Sequence, residues 1–310
     1  MNKLKIGILG AKGFVGKALV DQFLLEKNFL ELHLYARNKE TNTNFKNVFY
    51  HQFNLNSESL SYPPSLLEID VLYYLISESI PASSWDFPSN EIQNNLIPFT
   101  KLIEQLKKGN LKKIIFTSSA GTIYGPSTEK IKEDGLKNPF SPHGITKLTT
   151  EYFLEYFKTK YGIQYDIFRI SNIYGPGQNT SKGLGLINTL LEKMIRKEEI
   201  LIYGDGSNTR NYIYIDDVAN ILNQAINNDL NISNTLNLAS SYHYTINEII
   251  SKIEVVSNIK LSFTKSPPRN SDNTIIMIDN TKLKVLFPQF KDTNIELGIK
   301  ESLNYLTKLQ

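Results

Sequence analysis

The sequence predicts an α/β fold: a doubly wound parallel sheet with a smaller α/β domain. Three observations predict it. A glycine triplet joins a buried strand to an amphipathic helix at the start of the chain, strand-length apolar runs then alternate with helical stretches, and shorter elements separated by polar turns follow. Leu4, Ile6, Ile8 and Leu9 form the strand, and Phe14, Ala18, Leu19 and Phe23 recur at helical spacing. Between them, Gly10 lets the chain turn, Gly13 lets backbone approach a phosphate, and Gly16 lets the helix sit against the sheet. The free N–H groups at the helix start, around Phe14 and Val15, together with the positive helix end suit a pyrophosphate.

Leu30 to Tyr35 is a second strand and closes a βαβ unit. In such units an acidic residue ~20 residues past the glycines takes the adenine ribose 2′-hydroxyl, whereas an arginine suits a 2′-phosphate. The chain offers Tyr35-Ala36-Arg37-Asn38 with no carboxylate, so Arg37 gives a weak lean to NADP within an NAD(P) reading. Strands are expected at Val48–Phe53, leading into Asn54 and Leu55, at Asp70–Ile76 and at Lys113–Thr117, with a helix from about Glu91 to Lys108. Ligands of such sheets lie at the carboxyl ends of the strands.

Bulk properties narrow the classes. With 310 residues the chain can bury a sizeable core, and 41% apolar with 21% charged residues is ordinary for a globular protein. A net charge of +3 with no basic stripe argues against nucleic acid. The absence of cysteine excludes disulfides, thiolate metal sites and a cysteine nucleophile, and the four histidines lack ligand spacing, so no metal is expected. The first strand begins within a few residues of Met1 and no apolar run reaches membrane-spanning length, which predicts a cytoplasmic protein without a membrane partner.

Three segments fall at the functional edge of the sheet. Phe116 to Gly125 is rich in hydroxyls and includes Ser118, Ser119, Thr122 and Tyr124. Ser141-Pro142-His143-Gly144-Ile145-Thr146-Lys147 opens a long helix to Gly162 that carries apolar and aromatic residues on more than one face, which predicts a homodimer interface. His143 and Lys147, four apart, share a helical face. The third segment, Arg169 to Gln178, is a strand running into a Pro-Gly turn.

Taken together these motifs resemble the extended short-chain dehydrogenase/reductases, and within them the nucleotide-sugar epimerases and dehydratases typified by UDP-glucose 4-epimerase. Gly10, Gly13 and Gly16 match the GxxGxxG of that Rossmann family; Asn54 and Leu55 match its adenine-contacting pair, and Asn95 its helix asparagine. Ser118 to Gly125 resembles the segment with the catalytic Ser or Thr, and Asn172 to Gly177 the substrate-contacting loop. Tyr203 to Val218 resembles a stretch whose arginine, here Arg210, holds the sugar-nucleotide diphosphate, and Pro267 to Asp272 a later pair, here Arg269 and Asp272. The resemblance implies a bound NAD(P), a nucleotide-sugar substrate and a hydride removed from a sugar carbon. Two arginines suit that ligand, because a guanidinium forks onto phosphate oxygens.

One position departs from the family. Its chemistry runs on Tyr-x-x-x-Lys, and here the tyrosine position is His143, while Lys147 is retained to hold the nicotinamide ribose. An imidazole with an ordinary pKa near ~6.5 is a competent base, yet it reaches less far than a phenol, and about 1 Å of misplacement costs roughly 100-fold in rate. Three accounts follow: His143 replaces the phenol, with Lys147 pushing its pKa down; redox chemistry has been lost and the site only binds; or another group, such as Tyr124, carries the proton. Ser119 is the first choice for the orienting hydroxyl, with Ser118 beside it, and Thr122 takes over if the extra residue of the run bulges. The leading function is a UDP-hexose 4-epimerase-like enzyme, with a nucleotide-sugar dehydrogenase or reductase, or a catalytically impaired binding protein, as alternatives.

The second half is read as a helix at Gly183–Lys197, a strand at Ile200–Tyr203, a helix at Val218–Asn227, a strand at Thr235–Leu238, a helix at Thr245–Val256 behind a capping box, a short strand at Leu261–Thr264 and a closing helix at Thr293–Leu309. Residues 1–172 plus 213–242 are expected to bind the dinucleotide, and 173–212 plus 243–310 the sugar nucleotide, with the substrate in a cleft.

Overall fold

The computed structural model describes residues 3–25, 30–38, 45–57, 61–79, 84–180, 185–267 and 275–309. By its internal contacts the chain forms two units: Met1–Ile123, Pro139–Arg169 and Leu222–Leu236 in the first, and Tyr124–Asn138, Ile170–Ile221 and Asn237–Gln310 in the second.

The first unit is built on a seven-stranded sheet. β1 (Leu4–Leu9) lies at its centre, parallel to β2 (Leu30–Ala36) on one side and β4 (Val71–Tyr74) on the other, with Ile8 opposite both Leu34 and Tyr73. β3 (Val48–Gln52) completes one edge; β5 (Lys113–Ser119), β7 (Gln164–Ile170) and β11 (Asn234–Leu238) extend the other, giving the order β11-β7-β5-β4-β1-β2-β3. The order reverses between β1 and β4, and in doubly wound sheets that switch point is where ligands bind. α1 (Phe14–Leu25) follows β1, burying Leu19, Val20 and Phe23. A short α2 (Pro88–Glu91) passes through a π-helical turn, Ile92–Leu96, into α3 (Ile97–Leu106), so this helical stretch begins earlier than expected because Pro88 is suited to a first turn. After β5 come the single turn α4 (Ala120–Ile123) and the long α5 (Pro142–Tyr161).

Both ends of α5 are determined locally. Ser141 caps it by accepting from Gly144 N at 3.1 Å, and Gly162 ends it in the left-handed region at φ 73°. Its inner face joins the core between α3 and the sheet, where the fully buried Phe99 lies 5.0 Å from the Tyr74 ring, 6.0 Å from Phe116 and 6.2 Å from Phe157. At the far edge, the fully buried Lys113 and Asp166 pair at 2.8 Å. The lysine also donates to Asp229 O, and Asn228 and Asn234 donate to Asp166, so the pair is satisfied on both sides. Asn228 and Asn234 thereby tie the segment leading into β11 to Asp166 on β7.

The second unit carries a three-stranded sheet in the order β12 (His243–Thr245), β10 (Thr209–Tyr214), β8 (Asn172–Tyr174). Two strand pairs accompany it, β9 (Ile200–Tyr203) with β13 (Phe263–Ser266), and β6 (Ser127–Ile131) with β14 (Ile276–Ile278). Its helices are α6 (Leu186–Arg196), α7 (Ile215–Gln224, whose end falls in the first unit), α8 (Ile246–Ser257), α9 (Thr281–Leu286) and α10 (Ile295–Lys308). The capping box is present on α8, with Thr245 and Glu248 bonded reciprocally. The strand expected after Arg169, running into the Pro-Gly turn, is instead two, since β7 ends at Ile170 and β8 pairs with β10. β6 was not expected because Ser-Thr-Glu-Lys-Ile lacks an apolar pattern; its partner β14 selects it. Among the described residues no helix is long and apolar enough to cross a membrane.

Candidate functional site

A cavity of about 340 Å3 opens at the switch point of the first unit. The turn after β1 supplies Gly10, Lys12 and Gly13; the end of β2 supplies Tyr35 to Asn38; the end of β3 supplies Phe53, Asn54 and Leu55; the end of β4 supplies Leu75 to Glu78. The glycines are there for stated reasons. Gly10 sits at φ 87°, and a Cβ on Gly16 would meet Gly10 O at 2.1 Å, so the helix start can lie against the turn only without a side chain. Phe14 and Val15 open α1, half-buried, outside the cavity lining. Gly10, Gly13, Arg37, Asn54 and Leu55 are thus brought together.

Lys12, Asn38 and the Ser77–Glu78 pair were not anticipated; the last follows β4 with no motif to mark it. Glu78 pairs with Arg37 at 3.3 Å, and the Arg37 side chain is 67% exposed. Asn95 does not line this cavity. It holds the loop after β4, accepting from Glu78 N at 2.9 Å and donating to Ser79 Oγ and Glu91 Oε2, each at 3.2 Å.

Next to it lies a smaller cavity of about 10 Å3 lined by Glu91, Asn95, Phe116, His143 and Lys147 among others. His143 and Lys147 stand one turn apart on α5, as their spacing requires. Lys147 Nζ donates to Thr117 O at 3.0 Å and lies 4.9 Å from the Phe116 ring, which pins the ammonium beneath the end of β5. Burial pushes its pKa down to about 8, against the pull of Glu91 and Glu151. His143 is buried, its N–H donating to Ser84 Oγ and its Nδ1 lying 3.3 Å from Ser79 Oγ and 3.9 Å from Glu91 Oε2. Burial, and after it the Lys147 charge, pushes its pKa down to about 3, so the imidazole is neutral. The lysine alone was expected to do this; desolvation is the larger cause.

The candidate hydroxyls separate. Ser118 donates to Glu151 Oε1 at 2.6 Å, inside a buried network in which Arg169 forks onto the same carboxylate. Ser119, at the last position of β5, is half-buried and makes no side-chain hydrogen bond to another described residue. Thr122 Oγ1 is buried without a partner among the described residues.

In the second unit Asn172 and Arg210 lie on the adjacent strands β8 and β10, where Asn172 Nδ2 donates to Asn211 O at 2.8 Å. Tyr124 is buried and its hydroxyl donates to Asn237 Oδ1 at 2.7 Å, so its proton is engaged. Arg269 and Asp272 lie outside the described residues.

The family model for the NAD dependent epimerase/dehydratase family matches residues 6–239, three quarters of the chain and the whole of the glycine turn, the switch-point cavity and the His143–Lys147 helix. The chain belongs to this family. The UDP-glucose 4-epimerase of Lactobacillus helveticus is 26% identical over 300 residues, covering 91% of each chain. Among solved structures, the UDP-glucose 4-epimerase of Thermotoga maritima with UDP-glucose superposes with a TM-score of 0.85 at 27% identity, covering 99% of both chains. The UDP-glucuronic acid 4-epimerase of Bacillus cereus, in complex with UDP-glucuronic acid and NAD, gives 0.88 at 25% identity, covering 99% of this chain and 100% of that one. The NAD-dependent epimerase/dehydratase fold therefore accounts for the chain from end to end, and the glycine cradle, with space that a Cβ would fill, fits the dinucleotide of that family.

Proposed function

We propose that the protein is a nucleotide-sugar 4-epimerase that acts on a UDP-hexose through transient oxidation, with His143 as the base. When bound, NAD(P)+ supplies the hydride acceptor. Gly10, Gly13, Phe14, Val15 and Gly16 receive the pyrophosphate at the start of α1, Asn54 and Leu55 the adenine, and Lys147 the nicotinamide ribose, while Asn95 holds the loop after β4. The observation that carries the reading is geometric: a buried imidazole one turn along α5 from a lysine whose ammonium is pinned under β5. Neutral, it accepts the sugar hydroxyl's proton; Ser119 or Thr122 orients that hydroxyl, and the unpartnered Thr122 Oγ1 is a ready donor. Ser118 acts through the Glu151 network that supports this strand end. Asn172, Tyr124, Arg210, Arg269 and Asp272 take the sugar nucleotide in the second unit, the arginines on its diphosphate.

The test supplies UDP-glucose and NAD and follows UDP-galactose formation together with nicotinamide absorbance. Turnover that is lost in both His143→Phe and His143→Tyr supports histidine chemistry. A large gain in His143→Tyr supports instead a binding protein that has lost its base, and net accumulation of reduced cofactor supports a dehydrogenase.

For the cofactor, Arg37 at the end of β2 supports the lean to NADP, whereas Glu78 beside it offsets that charge and disfavours a 2′-phosphate. A larger rise in melting temperature with NAD than with NADP at equal concentration overturns the lean. A homodimer is proposed from α5, whose outer face exposes Ile145, Tyr152 and Tyr156 at helical spacing; light scattering at monomer mass overturns it.

A further inference from the structure

We infer that Glu91 is a positioning residue for His143, keeping the imidazole proton on Nδ1 so that Nε2 is the atom that takes the substrate's proton. The inference rests on the reading of His143 as base and adds a residue to it.

The tautomer of a neutral imidazole is set by what its two nitrogens face. Nδ1 of His143 faces Ser79 Oγ at 3.3 Å and Glu91 Oε2 at 3.9 Å. A serine hydroxyl donates as readily as it accepts, so Ser79 by itself fits either tautomer. If it donated, the ring proton would sit on Nε2 and that nitrogen could not be a base. An ionised carboxylate only accepts, and its charge favours an N–H dipole directed toward it. Asn95 donates to Ser79 Oγ at 3.2 Å, which fixes the place of that oxygen but leaves it able to donate or accept, so the carboxylate is the group that decides the tautomer.

Glu91 is itself otherwise unexplained. It is 2% exposed, Oε2 accepts from Asn95 Nδ2 at 3.2 Å, and Oε1 is buried with no partner among the described residues. Glu151, comparably buried a short distance along α5, is by contrast saturated by Ser118 and by the fork of Arg169. One of these glutamates is a finished structural contact, and the other is left with spare accepting capacity beside an imidazole. Glu91 also sits where α2 passes into the π-helical turn Ile92–Leu96, and such turns concentrate at functional sites. Asn95 follows four positions on, and its side chain meets that of Glu91 across the π-helical turn.

Charge makes the same demand. Among the described residues, the charged groups facing His143 are Lys147 on its own helix and Glu91 from α2; Glu151 is tied to Arg169, Glu78 to Arg37, and β5 and the loop after β4 present hydroxyls. With NAD(P)+ bound to accept the sugar C–H hydrogen and its electron pair, the O–H proton would pass to Nε2 and leave a carbonyl. The imidazolium so formed lies beside Lys147, and Glu91 is the anion that offsets it.

The experiment uses the full chain labelled with 15N-histidine, His143→Phe assigning the ring resonances. The expected wild-type spectrum has Nδ1 protonated and Nε2 bare; Glu91→Gln moves the population toward Nε2–H, and Glu91→Asp retains the wild-type form. With UDP-glucose and NAD as probes, Glu91→Gln lowers kcat at least tenfold, changes KM less than threefold and shifts the acidic limb of the pH profile. A wild-type imidazole protonated on Nε2 overturns the inference without any variant, and so do unchanged ring shifts and an unchanged pH profile in a folded Glu91→Gln. The base reading itself fails if His143→Phe keeps its turnover or His143→Tyr gains it. An inactive His143→Phe beside a Glu91→Gln like wild type removes the inference and leaves that reading in place.

Discussion

Replacing His143 by glutamine changes how stability responds to acid, and the size of the change follows from where the ring sits. Its side chain is 9% exposed, and burial with Lys147 pushes the folded pKa from 6.5 down to about 3. In the unfolded chain the group returns to ~6.5. Below that pH the unfolded state binds a proton that the folded state refuses, so the group's contribution falls as pH falls, at up to about 1.4 kcal/mol per pH unit. Between pH 7 and pH 5 the loss from His143 alone amounts to about 2 kcal/mol. Other groups titrate in the same window. His51 and His243, lowered chiefly by burial, act in the same direction; Asp217, raised by burial to about 6, acts in the opposite one because its folded form binds the proton first. Their effects cancel when wild type and His143→Gln are compared at each pH. Urea midpoints measured from pH 7 to pH 5 should show the wild type losing about 2 kcal/mol more than the variant. Parallel profiles would mean that the folded protein tolerates a charged ring there, and the reasoning from burial to a depressed pKa would fail.

Gly16→Ala places a Cβ 2.1 Å from Gly10 O, backbone that cannot swing aside; it should cost about 3 kcal/mol and abolish stabilisation by NAD, both read from thermal melts. Thr122→Ala removes a buried hydroxyl without a partner, so stability should hold or rise by up to about 1 kcal/mol while epimerase turnover falls at least tenfold; an equal fall in stability would mark Thr122 as structural. Glu151→Gln leaves the Arg169 guanidinium buried without its counter-charge and should cost about 3–5 kcal/mol in denaturant unfolding, whereas Lys112→Gln, at an exposed pair, should cost less than about 1.

The glycine turn, the capped start of α5 and the alternation of strand and helix were legible because each is local: turn geometry, a cap and a hydrophobic period are written in adjacent residues. His143 and Lys147 were readable for the same reason, four residues on one helix. Glu91, Ser79 and Glu78 were not, since each becomes relevant through a neighbour at least 41 residues away. The hydroxyl run gave three candidates of one chemistry, and only packing separated Ser118, engaged by Glu151, from Thr122, which has no partner.

The sequence by itself determined the doubly wound class, the cofactor turn and the residue pair on α5, because short-range sterics and periodicity leave few alternatives there. Tertiary structure alone decided that burial, more than Lys147, lowers the histidine pKa, which carboxylate faces it, and that Arg37 meets a glutamate instead of standing free. Those outcomes depend on desolvation and on distances across the fold, which the order of residues along a chain does not state.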